Sequence, residues 1–224
     1  MKRPTQHTLK RQQSGFTLVE IAIVLVIIGL LLGGVLKGQE LINSAKAKAV
    51  VNDFRNVSVM INAYQDRFRA LPGDDSKADK NFTGGALAST TPSLLGNGSI
   101  DGKWDSTTKT DETYLAWQHL RLANLANGST TVGATDFQQK NADGGVIGFQ
   151  SGKPTGVDAT DKISGRLFVC QSQVSGRIAQ QVDSTMDNDR DIAAGSVFVL
   201  LNDQSKMAAA PLDDATFYIV CAGF

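Results

Sequence analysis

Residues 14–36 read Ser-Gly-Phe-Thr-Leu-Val-Glu-Ile-Ala-Ile-Val-Leu-Val-Ile-Ile-Gly-Leu-Leu-Leu-Gly-Gly-Val-Leu. From Phe16 to Leu36 the one charged side chain is Glu20. About 20 apolar residues suffice for a helix to cross the hydrocarbon core of a bilayer, so this stretch predicts a transmembrane helix. A secretory signal peptide fits less well, because its apolar region spans roughly 7–15 residues and its cleavage site follows that region. Here a glycine, Gly15, precedes the apolar run.

The segment before the apolar run is basic. It carries Lys2, Arg3, Lys10 and Arg11 and no acidic residue. Positive charge next to a transmembrane span is retained in the cytoplasm. We therefore expect the amino terminus inside and the residues after Leu36 outside.

The sequence Gly-Phe-Thr-Leu-Val-Glu at 15–20, between a basic segment and an apolar run, resembles the processing site of type IV prepilins and pseudopilins. The resemblance is sharpest over residues 14–34 and continues loosely to about Asp75. It implies that a prepilin peptidase cuts after Gly15 and methylates the new amino terminus at Phe16. It further implies storage in the lipid bilayer of the inner membrane, and then polymerisation by an inner-membrane assembly platform into a filament with copies of itself and other pilins.

Glu20 needs its own explanation, since a carboxylate at the centre of a bilayer costs roughly 2.5–3.5 kcal/mol on insertion scales. One interpretation places Glu20 at the headgroup level, where the positive end of the helix dipole favours it. The other, which the resemblance implies, pairs Glu20 with the free amine of Phe16 in a neighbouring subunit, so that it acts in assembly.

The helix is predicted to continue beyond the span. Residues 37–71 contain no proline, and Pro72-Gly73 is a clear stop signal. A helix from Phe16 to about Ala70 would be roughly 80 Å long. A narrow apolar stripe indicates that its second half packs against the following domain, although such spacing also occurs in coiled coils; the stripe comprises Val50, Phe54, Val57, Ile61, Tyr64, Phe68 and Leu71.

The remainder, residues 72–224, predicts a globular domain. Turn-rich segments at 72–110 and 129–165 flank a predicted helix at 111–126. A short strand is predicted at Val146–Gln150, within the second of these segments. In the last third a helix is predicted at Gly176–Met186, and β-rich runs predict strands at Arg166–Cys170, Ser196–Leu201 and Ala215–Cys221. The predicted class is α+β, with the long amino-terminal helix packed on a small, mostly antiparallel sheet. The resemblance implies the same architecture, the pilin-like α/β-roll.

Cys170 and Cys221 lie in strand-like settings. In an exported domain an even pair of cysteines indicates a disulfide, while two buried thiols are the alternative. Closing a loop of about 50 residues would contribute on the order of 4 kcal/mol in the chain-entropy model.

The sequence offers little for catalysis. It has no G-x-S-x-G, H-E-x-x-H, P-loop or C-x-x-C motif, and His119 lies in a helical setting typical of packing or surface. No cofactor is predicted. Asp187, Asp189 and Asp191 have the spacing with which a calcium loop begins, but Ile192 stands where that loop has glycine. Two interpretations remain for these aspartates: a calcium site, or carboxylates of a solvated loop.

Charge argues against nucleic acid as the main partner. The chain has 22 basic and 22 acidic residues, and removing the four basic residues of the leader would leave 18 against 22, a net charge of −4. Nucleic-acid-binding proteins show concentrated basic surface instead.

The resulting hypothesis has four segments: a leader at 1–15, a transmembrane and filament-core helix at 16–36, its amphipathic continuation at 37–71, and a periplasmic or extracellular domain at 72–224. The function predicted is a non-enzymatic structural subunit of a type IV pilus or a secretion pseudopilus. A minor subunit or tip module, whose loops contact a surface, DNA or secreted cargo, is the second hypothesis. A single-pass periplasmic protein with a coincidental motif is the third.

Overall fold

The computed structural model describes residues 17–89, 95–187 and 191–224. The chain divides into two compact units, Met1–Ile42 and Asn43–Phe224. In the order of the chain, the first long element is helix α1, Leu18–Phe68. Its residues up to Ile42 belong to the first unit and the others to the second.

Helix α1 changes character along its length. Within the second unit it buries one apolar stripe, as the spacing predicts, and the positions sharing this burial are Ala47, Val50, Val51, Phe54, Val57, Ile61 and Tyr64. The helix ends where Arg69 takes a left-handed conformation (φ 57°), shortly before Pro72. The predicted long helix is therefore confirmed, and it stops two residues before Ala70.

Among its described residues, the second unit contains a four-stranded sheet and three shorter helices. The helices are α2 (Ala78–Asn81), α3 (Glu112–Leu122) and α4 (Gly176–Met186), and the strands are β1 (Ile147–Ser151), β2 (Leu167–Ser175), β3 (Val197–Leu201) and β4 (Phe217–Gly223). The strand order is β1-β2-β4-β3, with every neighbouring pair antiparallel. The predicted α+β class, a long helix with a small antiparallel sheet, is confirmed.

Alternation along the strands divides the core into two layers, because successive side chains of a strand point to opposite faces. On β4, Val220 belongs to the cluster that contains the α1 stripe and α3, whereas Ile219 and Cys221 belong to a second cluster on the other face. The side chain of Gln171 links sheet and helix directly, donating to the carbonyl of Val50 at 3.0 Å.

The turn after α1 is fixed by a close approach to α3. Gly73 has φ +91°, and a Cβ there would lie 2.3 Å from the carbonyl oxygen of Glu112. Only glycine combines this backbone conformation with that contact. The end of α1 is thereby held against the start of α3.

Candidate processing and assembly site

The predicted cleavage residues Gly15 and Phe16 lie outside the described residues. The description begins at Thr17, and helix α1 follows from Leu18. At this end of the molecule the structure describes Thr17, Glu20 and the apolar residues that follow.

Thr17 and Glu20 form a reciprocal capping interaction at the start of α1. The Glu20 carboxylate accepts from both the backbone N–H and the hydroxyl of Thr17, each at 2.8 Å. The Glu20 backbone N–H donates to the Thr17 hydroxyl at 3.2 Å. This is a capping box, which satisfies N–H groups that the first turn of a helix leaves without partners. In this conformation the Glu20 carboxylate caps the amino-terminal end of its own helix.

The prediction made for Glu20 from the sequence missed its local partner, Thr17. The spacing Thr-x-x-Glu before an apolar run is itself the signature of a capping box and could have identified it.

The apolar surface after Glu20 is exposed. The large apolar residues from Leu18 to Leu36 have between 46 % and 91 % of their surface accessible. Among the described residues, α1 is the one helix long and apolar enough to cross a membrane, and its most apolar window has a mean hydropathy of 2.8 with none of it buried. This surface fits an anchor in a membrane.

The two cysteines meet across neighbouring strands. Cys170 of β2 stands opposite Cys221 of β4, and their sulfurs are bonded at 2.06 Å. Both are fully buried in the second cluster, between Phe168, Phe198 and Ile219. The bond therefore joins two central strands of the sheet in a place that solvent does not reach.

The three aspartates considered for calcium are used differently. One carboxylate oxygen of Asp187 accepts from the backbone N–H groups of Ser196 and Val197, the latter at 3.0 Å. Asp191 accepts from the N–H of Ala193 at 3.1 Å, and Asp189 lies outside the described residues. Across residues 17–89, 95–187 and 191–224, no group of three His, Cys, Asp or Glu side chains is arranged to hold a metal ion.

His119 is fully buried in α3 and connects two loop segments. Its Nδ1 accepts from the Gly73 N–H at 2.9 Å, and its Nε2 lies 2.8 Å from the Ala86 carbonyl oxygen. These partners require neutral imidazole with the proton on Nε2, because only a deprotonated Nδ1 can accept. Burial lowers the pKa of His119 and so favours this neutral form.

Two further polar side chains of α3 form hydrogen bonds with the backbone of neighbouring loops. Gln118 accepts from the Ala86 N–H and donates to the carbonyls of Gly84 and Thr130. Arg121 donates to the carbonyls of Asn127 and Ser129. The predicted loop regions are thus tied to the core at defined points.

Comparison with known proteins identifies the amino-terminal end. A family model described as the prokaryotic N-terminal methylation motif matches residues 10–36. No curated protein and no solved structure matches the chain. The matched segment lies within the first unit, which ends at Ile42, and it contains the Thr17–Glu20 capping box and most of the exposed apolar run. The chain therefore carries, at residues 10–36, the N-terminal methylation motif that is the signature of type IV pilins and pseudopilins.

Proposed function

We propose that this protein is a structural subunit of a type IV pilus or a pseudopilus, cut by a prepilin peptidase after Gly15 and methylated at Phe16. Residues 1–15 stay on the cytoplasmic side of the inner membrane, residues 16–36 span the bilayer, and residues from 72 onward lie outside. An assembly platform then polymerises the subunits with their apolar helices in the filament core. The subunit itself needs no catalytic site.

The observation that carries this proposal is the exposed apolar surface directly behind the methylation motif. Monomeric soluble proteins rarely expose a continuous apolar patch of this kind, so the surface needs lipid or another protein around it. A bilayer covers it before assembly, and the helices of other subunits cover it afterwards. One surface then serves storage and polymerisation.

The sheet edges support assembly through the helix. At the β1 edge the N–H groups of Ile147 and Ser151 already donate to loop carbonyls, at 2.8 and 3.0 Å. At the β3 edge Val199 donates to Ile192 and accepts from Ala208. Addition of a strand from another chain requires such groups to be unpaired. Helix α1 is the better candidate for contacts between subunits.

Glu20 has two roles in the proposal. In the stored subunit its carboxylate belongs to the capping box with Thr17, which satisfies the carboxylate locally. In the filament it pairs with the amine that cleavage creates at Phe16 of a neighbouring subunit. Leaving that amine without a partner in an apolar core is strongly unfavourable.

Two substitutions separate these roles. Glu20→Gln keeps the size and a hydrogen-bond acceptor but removes the charge, whereas Thr17→Val removes the capping hydroxyl and keeps the carboxylate. Breaking a buried charge pair costs about 3–5 kcal/mol, so we expect sheared filaments from Glu20→Gln to fall by about 100-fold or more. Loss of a cap costs about 1 kcal/mol, so Thr17→Val should have a small effect.

Mass spectrometry of the membrane fraction provides the control. Wild type and both variants should show a methylated amino terminus at Phe16, because neither substitution removes Gly15. A terminus at Met1 in cells that contain the peptidase would contradict the proposal. Normal filament yield from Glu20→Gln would contradict the pairing with Phe16 and leave Glu20 only its capping interaction with Thr17. Abundance in the sheared fraction distinguishes a shaft subunit from a minor or tip subunit.

A further inference from the structure

Two grooves flank helix α1 within the unit Asn43–Phe224. The first, the Asp53 groove, has a volume of about 390 Å³ and runs between α1 and α3. Helix α1 contributes Asp53, Asn56 and Met60 to it, and Trp117 and Asn127 stand on the other side. Among its lining residues Asp53 is the one that carries charge.

The second groove, the Arg166 groove, has a volume of about 750 Å³. Helix α1 contributes Ser58, Asn62 and Gln65, and the loops around the sheet contribute Lys153 and Arg166. Both charged side chains of this groove are cationic.

The two grooves use different faces of α1. The α1 residues that line the Asp53 groove begin at Asp53, and those that line the Arg166 groove begin at Ser58, five residues later. At 3.6 residues per turn, five residues rotate the face by about 140°. The Asp53 groove and the Arg166 groove therefore lie on two flanks of the helix, with opposite charge.

Asp53 lacks a partner within the described part of the chain. Its side chain is half-buried, and no hydrogen bond or ion pair to it occurs there. Apolar walls from Met60, Trp117 and Leu125 share the groove. A carboxylate in such a place is stabilised by a cation that brings an aliphatic stem with it, and arginine has that shape.

Arg166 offers a matching group. It is exposed, and its guanidinium forms no ion pair among the described residues. Lys153 in the same groove is already used, since its ammonium donates to the carbonyls of Asp158, Ala159 and Asp161 at 2.9–3.3 Å. Arg166 is thus the cation of this flank that can reach another molecule.

We propose that the Asp53 groove of one copy of this chain receives the Arg166 flank of the next copy. The two contacting surfaces differ, so the interface is heterologous, and a heterologous contact that does not close generates a helical polymer. A symmetric pair would place Asp53 against Asp53, which like-charge repulsion disfavours. This inference rests on the proposed function and adds a lateral contact between the domains of neighbouring subunits.

Charge reversal tests the pairing in the full-length chain, in cells that assemble it. Asp53→Arg and Arg166→Asp should each lower sheared filament yield by about tenfold or more, and the double variant should recover most of the yield. Asp66→Arg and Lys162→Asp, which reverse exposed charges outside both grooves, should leave the yield unchanged. If Asp53→Arg does not accumulate in the membrane, Asp53→Asn replaces it and should also lower the yield.

Cross-linking tests the geometry. The native cysteines are bonded to each other, so engineered thiols react without competition from them. A copy with Asn127→Cys in the Asp53 groove and a copy with Ser99→Cys in the Arg166 groove should form a mixed dimer when co-expressed. Each copy expressed alone should form no dimer. A dimer from Asn127→Cys alone, or no mixed dimer at all, would overturn the heterologous contact.

The outcomes separate this inference from the proposed function. Wild-type filaments with unchanged yield in both single reversals would disprove the contact and leave the filament role intact. A wild type that forms no filaments would disprove the filament role. In that case the mixed dimer in the membrane fraction, or its absence, decides the contact by itself.

Discussion

Packing of α1 on the sheet can be tested at one residue, Phe54. Its side chain is fully buried in the centre of the apolar stripe, in the cluster that includes the sheet. Replacing such a phenylalanine by alanine costs about 3–5 kcal/mol, from lost burial and from the cavity left behind. Val59, five residues later on the same helix, is 65 % exposed, and Val59→Ala should change stability by less than about 0.5 kcal/mol.

The expected change is large against the stability of a domain. Ordinary domains unfold with about 5–15 kcal/mol. For a domain of this size 1 kcal/mol corresponds to about 2–4 °C, so Phe54→Ala should lower Tm by roughly 6–20 °C. Val59→Ala should lower it by no more than about 2 °C.

The assay uses a soluble fragment that begins at Lys46, which retains the whole buried stripe. Thermal and urea unfolding, followed by circular dichroism, report the two variants against the parent fragment. Equal losses from Phe54→Ala and Val59→Ala would refute the reasoning, because burial would then not decide the effect. A parent fragment that is itself unfolded would show that residues before Lys46 are needed for folding.

Three further predictions follow from the same structure. A fragment beginning at Pro72 should be unfolded, because losing several buried side chains at about 1.5–3 kcal/mol each approaches the whole stability of the domain; a cooperative transition like that of the longer fragment would contradict this. Non-reducing peptide mapping should recover Cys170 linked to Cys221. Alkylation of both thiols in the exported protein would contradict the disulfide. Burial lowers the pKa of His119 below its usual 6.5, so as the pH falls His119 takes up a proton in the unfolded state before it does so in the folded state. The free energy of unfolding, measured with urea, should therefore be constant above about pH 6.5 and decrease below it. His119→Gln should flatten the profile between pH 7.5 and 5.5, and a flat wild-type profile would count against the neutral His119.

The sequence by itself determined the long elements. The apolar run after Gly15 predicted a helix long and apolar enough to span a membrane, and the structure forms a continuous helix there. The stripe from Val50 to Tyr64 identified which helix face is buried, because a helix repeats its faces every 3.6 residues. Turn residues and β-rich runs placed β1, β3 and β4 to within two residues and the helix at Gly176–Met186 at its observed bounds, whereas β2 continues five residues beyond the predicted end at Cys170, to Ser175.

Other features depend on residues far apart in the chain, and only the tertiary structure decided them. His119 meets Gly73 and Ala86 across 46 and 33 residues, so its burial and its protonation state could not be read from its own helix. Asp53 and Arg166 are surface-type residues in the sequence, and their positions on two flanks of α1 emerge only when the sheet packs on the helix. Local periodicity specifies which face of an element is buried; which distant groups then meet depends on the packing of all the elements together.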